Sequence, residues 1–209
     1  QIADTRKTAE AKDLSNAMDK AKDEIAKKAE EEKKAIDALP DLTEEEKDEL
    51  KKEIDDASKA AKAAIDAVTD PAEKSRVEET KNNSSNTIVD ARKTADARDK
   101  AKNEITKKAE EEKLAIDALP DLTEEEKNKL KQEVDDASKA AKDTIDTITD
   151  PEQKGQIAPA KETGDNQIAD TRKTAEAKDL SHAKDKAKNE ITKKAEEEKK
   201  AIDALPDLT

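Results

Sequence analysis

The chain has 209 residues, of which 46% are charged and 32% hydrophobic, and its formal net charge is −13. It contains no Phe, Trp, Tyr or Cys, which excludes disulfides and thiol chemistry and leaves no aromatic ring to stack on a base. The acidic balance argues against nucleic acids and anionic membranes as partners, and no apolar run approaches the ~18 residues of a membrane span.

The arrangement of the apolar residues nevertheless indicates an ordered chain. Low hydrophobicity with high net charge is typical of disordered proteins. Here, however, the aliphatic residues recur with the period of a helix, which predicts long helices with narrow apolar faces. Gly155 and Gly164 are the only two glycines, so loops are expected to be few and short. The predicted fold class is all-α.

Three helices are predicted in the first repeat. The first runs roughly from Leu14 to Ala38, the second from Glu44 to about Val68, and the third begins after Asp70, an N-cap followed by Pro. In the third helix, Val77 and Ile88 mark the buried face, as Ile157 and Ile168 do one repeat later. The apolar positions of the first two helices are three and four residues apart: Leu14, Met18, Ala21, Ile25, Ala29 and Ile36, then Leu50, Ile54, Ala57, Ala61, Ile65 and Val68.

A corner motif, Ala35–Lys47, joins the first two helices. Pro40 restricts the residue before it to extended geometry, so the incoming helix must end there. Thr43 and Glu46 form an S/T-x-x-E capping box that opens the outgoing helix. Leu39 and Leu42, on either side of the turn, are expected to close the end of a helix bundle.

Internal repeats are the strongest signal in the sequence. The segment Ile2–Thr8 recurs at Ile88–Thr94, 86 residues later, and at Ile168–Thr174, a further 80 residues on. The corner motif recurs as Ala115–Lys127, and its first nine residues as Ala201–Thr209. The difference of six residues lies near Lys12–Ala17 and returns at Lys178–Ala183, so we expect long and short units to alternate along an array.

These repeats predict tandem antiparallel three-helix bundles, spectrin-like and joined end to end into an elongated rod. No Pro, Gly or loop signal separates Ile88 from Ile105, so one helix is expected to link consecutive bundles. We expect the chain to be a piece of a longer protein, with four parts: residues 1–13, the tail of a preceding repeat (its third helix); residues 14–91, repeat 1; residues 92–171, repeat 2; and residues 172–209, the first helix of a truncated repeat 3.

Some segments are poor helix formers. Asn82–Asn86 has low helix propensity, and Gly155, Pro159 and Gly164 lie at comparable places in the second repeat. An interior Pro costs about 3 kcal/mol. We therefore expect kinks or hinges in these segments.

No residue pattern predicts a catalytic, cofactor-binding or metal site. His182 is the only histidine and has no partners for catalysis or metal binding, so we expect an exposed helix position. Three acidic triplets are present, Glu30–Glu32, Glu44–Glu46 and Glu110–Glu112. They lack an EF-hand loop, and we interpret them as solvated faces or helix-start charges. We interpret Asp55-Asp56 and Asp135-Asp136 in the same way. No Ser or Thr has the neighbours of a nucleophile, and the prediction is that the protein is not an enzyme.

The order of these motifs resembles a known family. An Ala/Ile helix, a Leu-x-x-Leu-Thr-Glu-Glu-Glu-Lys corner, a Val/Ile–Ala-Ser/Ala–Ile helix and a Val-x10-Ile third helix are similar to the tandem repeat of unknown function in Gram-positive cell-wall-anchored surface proteins, the Ebh-type and SasC-type adhesins. In that family a Gly often lies four residues before the last Ile of the third helix. Gly164 before Ile168 fits this pattern, whereas Ser84 before Ile88 departs from it. The resemblance covers about Met18–Ala91 and Arg98–Thr171. It implies an extracellular stalk that carries a distal binding region from the cell wall, and it lends no catalytic residues.

Three functions remain open at this stage. The first is a monomeric structural spacer whose partners are neighbouring repeats of the same chain. The second is a helical module that binds a host plasma or matrix protein, although such interfaces usually rely on aromatic or large apolar anchors. The third is a self-associating coiled coil, against which the Pro-broken corners argue because they recur every 80 to 86 residues. No cofactor and no membrane insertion are expected.

Overall fold

The structure is a computed structural model that describes residues 2–205. It contains five long α-helices: α1 (Ile2–Asp37), α2 (Glu44–Asp66), α3 (Lys74–Asp117), α4 (Glu124–Asp146) and α5 (Ile157–Asp203). Short 3-10 turns, Pro71–Glu73 and Pro151–Gln156, precede α3 and α5. The predicted all-α class is confirmed. The last four residues of the third corner motif, 206–209, lie outside the described residues.

Three of the helical segments begin at caps formed by local side chains. Residues 38–43, here called the first corner, connect α1 to α2, and residues 118–123, the second corner, connect α3 to α4. The predicted capping box opens α2: Thr43 N donates to Glu46 Oε2 at 2.7 Å, and Glu46 N donates to Thr43 Oγ1 at 3.3 Å. Thr123 and Glu126 repeat both bonds at the start of α4. The predicted N-cap is also confirmed, since Asp70 Oδ1 accepts from Ala72 N at 2.9 Å.

The apolar stripes meet in one buried cluster that draws on α1, α2 and α3. The predicted faces of α1 and α2 are buried apart from Met18 and Ala57, and Val77 and Ile88 join them from α3. Leu42 is buried at the first corner, while Leu39, Met18 and Ala57 pack partly buried against the cluster. Burial of this apolar surface is the main stabilising contribution in a chain without aromatic residues.

The expected interruptions of the helices are absent from the described residues. The segment Asn82–Asn86 is helical within α3, because its neighbours Val77 and Ile88 are fixed in the buried cluster. Pro159 lies in the first turn of α5, where backbone N–H groups have no helical partner, so it breaks no bond of the helix. Gly155 falls in the 3-10 turn before α5 rather than inside a helix. The helix α3 is therefore unbroken at Asn82–Asn86, and Gly164 also lies inside α5 rather than at a break.

The described chain divides into two compact units. Unit 1 comprises the residues up to Glu104 together with Asp143–Lys161, and unit 2 comprises Ile105–Lys142 and the residues from Glu162 onward. In unit 2, α4 and α5 approach closely at Gly164, where an added Cβ would collide with the Cβ of Ala141. None of the helices in residues 2–205 combines the length and the apolar character needed to cross a lipid bilayer.

Candidate functional site

The most deeply buried charged groups of unit 1 meet at the start of α2, directly after the first corner. Arg98, on α3, has no exposed surface, and Lys102 follows it one helical turn later on the same face. Both point at Glu46, the third residue of α2, and at Asp146, the last residue of α4. We call these four residues the charged cluster.

Short ion pairs connect the charged cluster. Arg98 Nη2 lies 2.9 Å from Glu46 Oε1 and 3.2 Å from Asp146 Oδ1. Lys102 Nζ lies 2.7 Å from Glu46 Oε1 and 3.0 Å from Asp146 Oδ1. Each cation therefore bridges two carboxylates, and each carboxylate bridges two cations. Such a closed arrangement offsets part of the cost of removing four charges from water.

The electrostatics of the two carboxylates differ. Burial alone would raise the pKa of Glu46, but hydrogen bonds to Asp146, Lys102 and Thr43 outweigh it and lower that pKa to about 2. Burial raises the pKa of Asp146, and the neighbouring Glu46 carboxylate raises it further. Glu46 is thus the charge that the two cations hold, and Asp146 is the carboxyl that accepts a proton first.

Two hydrogen bonds of Asp41, one through its backbone and one through its side chain, hold the first corner against α3. Asp41 N donates to Asp99 Oδ1, and Asn103 Nδ2 donates to Asp41 Oδ2 at 2.8 Å. Asp99 and Asn103 are one helical turn apart, so a single face of α3 receives both the turn and the charged cluster. The corner motif therefore joins α1 to α2 and also packs on a third helix, α3.

The second corner docks on α5 with different side chains. Asp121 N donates to Asp179 Oδ1 at 2.7 Å, which repeats the Asp41–Asp99 contact. Lys178, in the place of Arg98, lies 2.8 Å from Glu126 Oε1, but its side chain is 44% exposed. Hydrogen bonds from Lys178 and from Thr123 lower the pKa of Glu126 to about 2.

His182 also belongs to the second corner. Its Nδ1 lies 2.9 Å from the carbonyl oxygen of Asp121, and its Nε2 lies 3.6 Å from Glu126 Oε1. The ring is half-buried, which differs from the exposed helix position predicted from the sequence. We call the part of a long helix that connects two repeats a linker. The linker in α5 is six residues longer than the one in α3, and these extra residues contain His182 and place it beside the second corner. Helical periodicity alone did not reveal this placement.

The acidic triplets are only partly the solvated faces that were expected. One glutamate of each triplet is largely buried and paired: Glu32 with Lys28 at 2.6 Å, Glu112 with Lys108 at 2.6 Å, and Glu46 in the charged cluster. The sequence contains a sign of this pairing, because a lysine lies four residues before Glu32 and another lies four residues before Glu112, on the same helix face. Within residues 2–205, no group of three or more His, Cys, Asp or Glu side chains is placed to hold a metal ion.

Together these features define a tandem helical repeat protein whose corners dock on the next long helix. One family model matches the chain twice, at residues 17–95 and 97–176. The chain therefore belongs to the family described as a domain of unknown function, DUF1542. The resemblance drawn from the sequence motifs is confirmed.

Two relatives are extracellular matrix-binding proteins of Staphylococcus aureus by name. EbhA of strain Newman is 28% identical over 202 residues, which is 95% of this chain and 5% of the relative. The protein ebh of strain NCTC 8325 / PS 47 shows the same identity and the same coverage of this chain, which spans 2% of that relative. Neither name is that of an enzyme. No solved structure matches the chain.

Proposed function

We propose that this chain is a stalk segment: a run of helical repeats that sets the distance between a distal binding region and the bacterial cell wall. The single observation that carries this proposal is α3, an unbroken helix of 44 residues that belongs to two consecutive sequence repeats. A helix of that length spans about 66 Å. A continuous helix transmits position between repeats, which a flexible loop does not.

The docked corners support the same role. At the first corner, Glu46 of one repeat and Asp146 of the next are held by the same two cations of α3. In this proposal each repeat is an antiparallel three-helix bundle, and consecutive bundles are joined end to end, as in spectrin. The repeat boundaries are those of residues 14–91 and 92–171.

Location and partners follow from the same proposal. The parent protein is extracellular and anchored in the cell wall, the fragment is monomeric, and its partners are neighbouring repeats of the same chain. It catalyses no reaction, holds no metal or cofactor and binds no nucleic acid. The family membership and the names of the two relatives support this assignment.

Small-angle scattering with light scattering on the same sample tests the spacer. A compact 209-residue globule has a radius of gyration near ~17 Å, whereas two bundles in line with helical overhangs extend to about 120–140 Å. We expect an elongated monomer. A compact particle would contradict the proposal, and an elongated dimer would favour a self-associating coiled coil instead.

A matched pair of variants sharpens that experiment. Ala97→Pro interrupts the middle of α3, at a cost of about 3 kcal/mol, and should broaden the distribution of distances. Ala3→Pro lies in the first turn of α1, where Pro is tolerated, and should leave the distribution unchanged. If both variants scatter like the wild type, α3 is not the connecting element.

A second candidate function is binding to a host matrix or plasma protein, which the names of the relatives favour. The described helices lack the aromatic anchors that dominate most interfaces, but charged surfaces also bind. Immobilised fragment incubated with plasma and with purified matrix proteins distinguishes the two candidates. Stoichiometric, saturable capture of one protein would replace the spacer by the binding module.

A further inference from the structure

We propose that His182 is a proton-dependent clasp that holds α5 on the second corner most tightly when its ring is protonated. Two groups face the ring. Nδ1 lies 2.9 Å from the Asp121 carbonyl oxygen, and Nε2 lies 3.6 Å from a carboxylate oxygen of Glu126. Both of these groups are acceptors.

A neutral imidazole has one donor and one acceptor nitrogen, so it can satisfy only one of them. With the proton on Nδ1, the ring donates to Asp121 but turns the Nε2 lone pair toward the Glu126 carboxylate. With the proton on Nε2, a lone pair faces the carbonyl oxygen at 2.9 Å. Only the imidazolium can donate to the Asp121 carbonyl oxygen and at the same time form an ion pair with Glu126, 3.6 Å away, so uptake of the second proton strengthens the contact.

Charges of both signs surround the ring, and carboxylates outnumber lysines. On α5, one turn away in either direction, lie Lys178, Asp179, Asp185 and Lys186. Lys178 also contacts Glu126, and Lys186 Nζ lies 3.5 Å from Asp121 Oδ1. These two lysines oppose protonation of the ring, while the carboxylates of Asp121, Glu126, Asp179 and Asp185 favour it.

The consequence is a pH-sensitive contact at the long linker alone. The contact is therefore tighter when the ring carries both protons and looser when it carries one. The first corner has no such group, since Asn103 makes the side-chain contact to Asp41 there. The two kinds of linker therefore respond differently to the same change of pH.

The chain offers its own control at Asn16, the exposed residue of α1 that corresponds to His182. The exchange variant His182→Asn with Asn16→His keeps the composition and removes the imidazole from the second corner. Asn at position 182 retains a donor for the Asp121 carbonyl. Folding is checked by circular dichroism before either readout is taken.

The first readout is the tautomer of the ring, from nitrogen chemical shifts at pH 8. The shorter contact at Nδ1 predicts that wild-type His182 carries its remaining proton on Nδ1, whereas the imidazole of the exchange variant carries it on Nε2 as free imidazole does. A ring with the same tautomer at both positions would overturn the proposal.

The second readout is hydrogen exchange of the Asp121 amide, which is bonded to Asp179. After correction for intrinsic rates, its protection in the wild type should fall about threefold between pH 5.5 and pH 8, which corresponds to a modest coupled proton uptake. In the exchange variant, and in Glu126→Gln, the fall should be absent. Equal pH dependence in all three proteins would contradict the clasp.

Discussion

The same ion pair occurs twice in unit 1, once in an exposed and once in a buried setting. Lys22 Nζ lies 2.8 Å from Asp66 Oδ1, and 80 residues later Lys102 Nζ lies 3.0 Å from Asp146 Oδ1. In the second pair the lysine also contacts Glu46, near the start of α2, and the exposed fraction of the lysine side chain is 8% instead of 27%. The same pair of residue types therefore lies in different surroundings, because the burial of a pair depends on what packs over it.

The two corners differ for a related reason. On α3, Asp99 is followed directly by Lys-Ala-Lys, which places Lys102 within reach of Glu46. On α5, six residues, Leu180–Asp185, separate Asp179 from the corresponding segment. Lys188, the counterpart of Lys102, pairs with Asp185 of its own helix instead. The short linker thus gives a buried charged cluster, and the long linker gives exposed pairs and His182.

The largest expected effect comes from lengthening the short linker. Insertion of Leu-Ser-His-Ala-Lys-Asp after Asp99 moves Lys102 about 9 Å along the helix and turns it by about 240°. The charged cluster should then come apart, and Lys102 and Asp146 should become as exposed as Lys22 and Asp66. Hydrogen exchange across residues 95–104 measures the loss of protection. Insertion of six residues after Thr5, outside the buried cluster, is the control.

Removal of one charge should be the next most damaging change. Arg98→Met leaves buried carboxylates with one cation fewer, and we expect a loss of about 3 kcal/mol in the free energy of unfolding of unit 1. The matched variant Lys178→Met removes an exposed cation and should cost much less. Denaturant unfolding of both variants measures the difference, and equal losses would show that burial at the first corner is energetically unimportant.

The close packing of α4 on α5 distinguishes the repeats further. Gly164→Ala places a methyl group against Ala141 Cβ, and overpacking of this kind costs about 1–3 kcal/mol. Gly155→Ala meets no atom within 4 Å and should be neutral. Ser84 occupies the position equivalent to Gly164 in α3, so a larger residue is accommodated there. Thermal unfolding compares the two variants, and a stable Gly164→Ala protein would contradict the close approach.

The smallest expected effect is on how the stability of each corner changes as the pH falls. Because the pKa of Glu46 and of Glu126 is lowered to about 2, their contribution to stability is present above pH ~4.5 and is lost as the pH falls toward 2. At the first corner Asp146 opposes this loss, because its raised pKa favours the folded state on acidification. Hydrogen exchange at pH 5 and pH 3 in Glu46→Gln and Glu126→Gln should show a weaker acid dependence at the substituted corner only.

Much of the fold could be predicted from local patterns. The apolar positions of α1 and α2 follow helical spacing, and the Thr43–Glu46 capping box and the Asp70 N-cap are read from residues within three positions of each other. Pro40 marks the end of α1 for an equally local reason. Such features depend on the backbone geometry of one helix and do not require knowledge of its neighbours.

The candidate site could not be predicted in this way. Glu46 was interpreted as a helix-start charge, and nothing within its own helix indicates that Arg98, 52 residues later, removes it from water. His182 was expected to be exposed for the same reason. Asn82–Asn86 was expected to interrupt α3, but the buried neighbours of that segment outweigh its weak propensity.

The sequence by itself determined the helices, their caps, the repeat and its family, because each depends on short-range periodicity or on recurrence along the chain. The tertiary structure alone decided which charges are buried and what His182 contacts. The physical reason is that the energy of a charge depends on its solvation, and solvation at each corner is set by a helix more than 50 residues away.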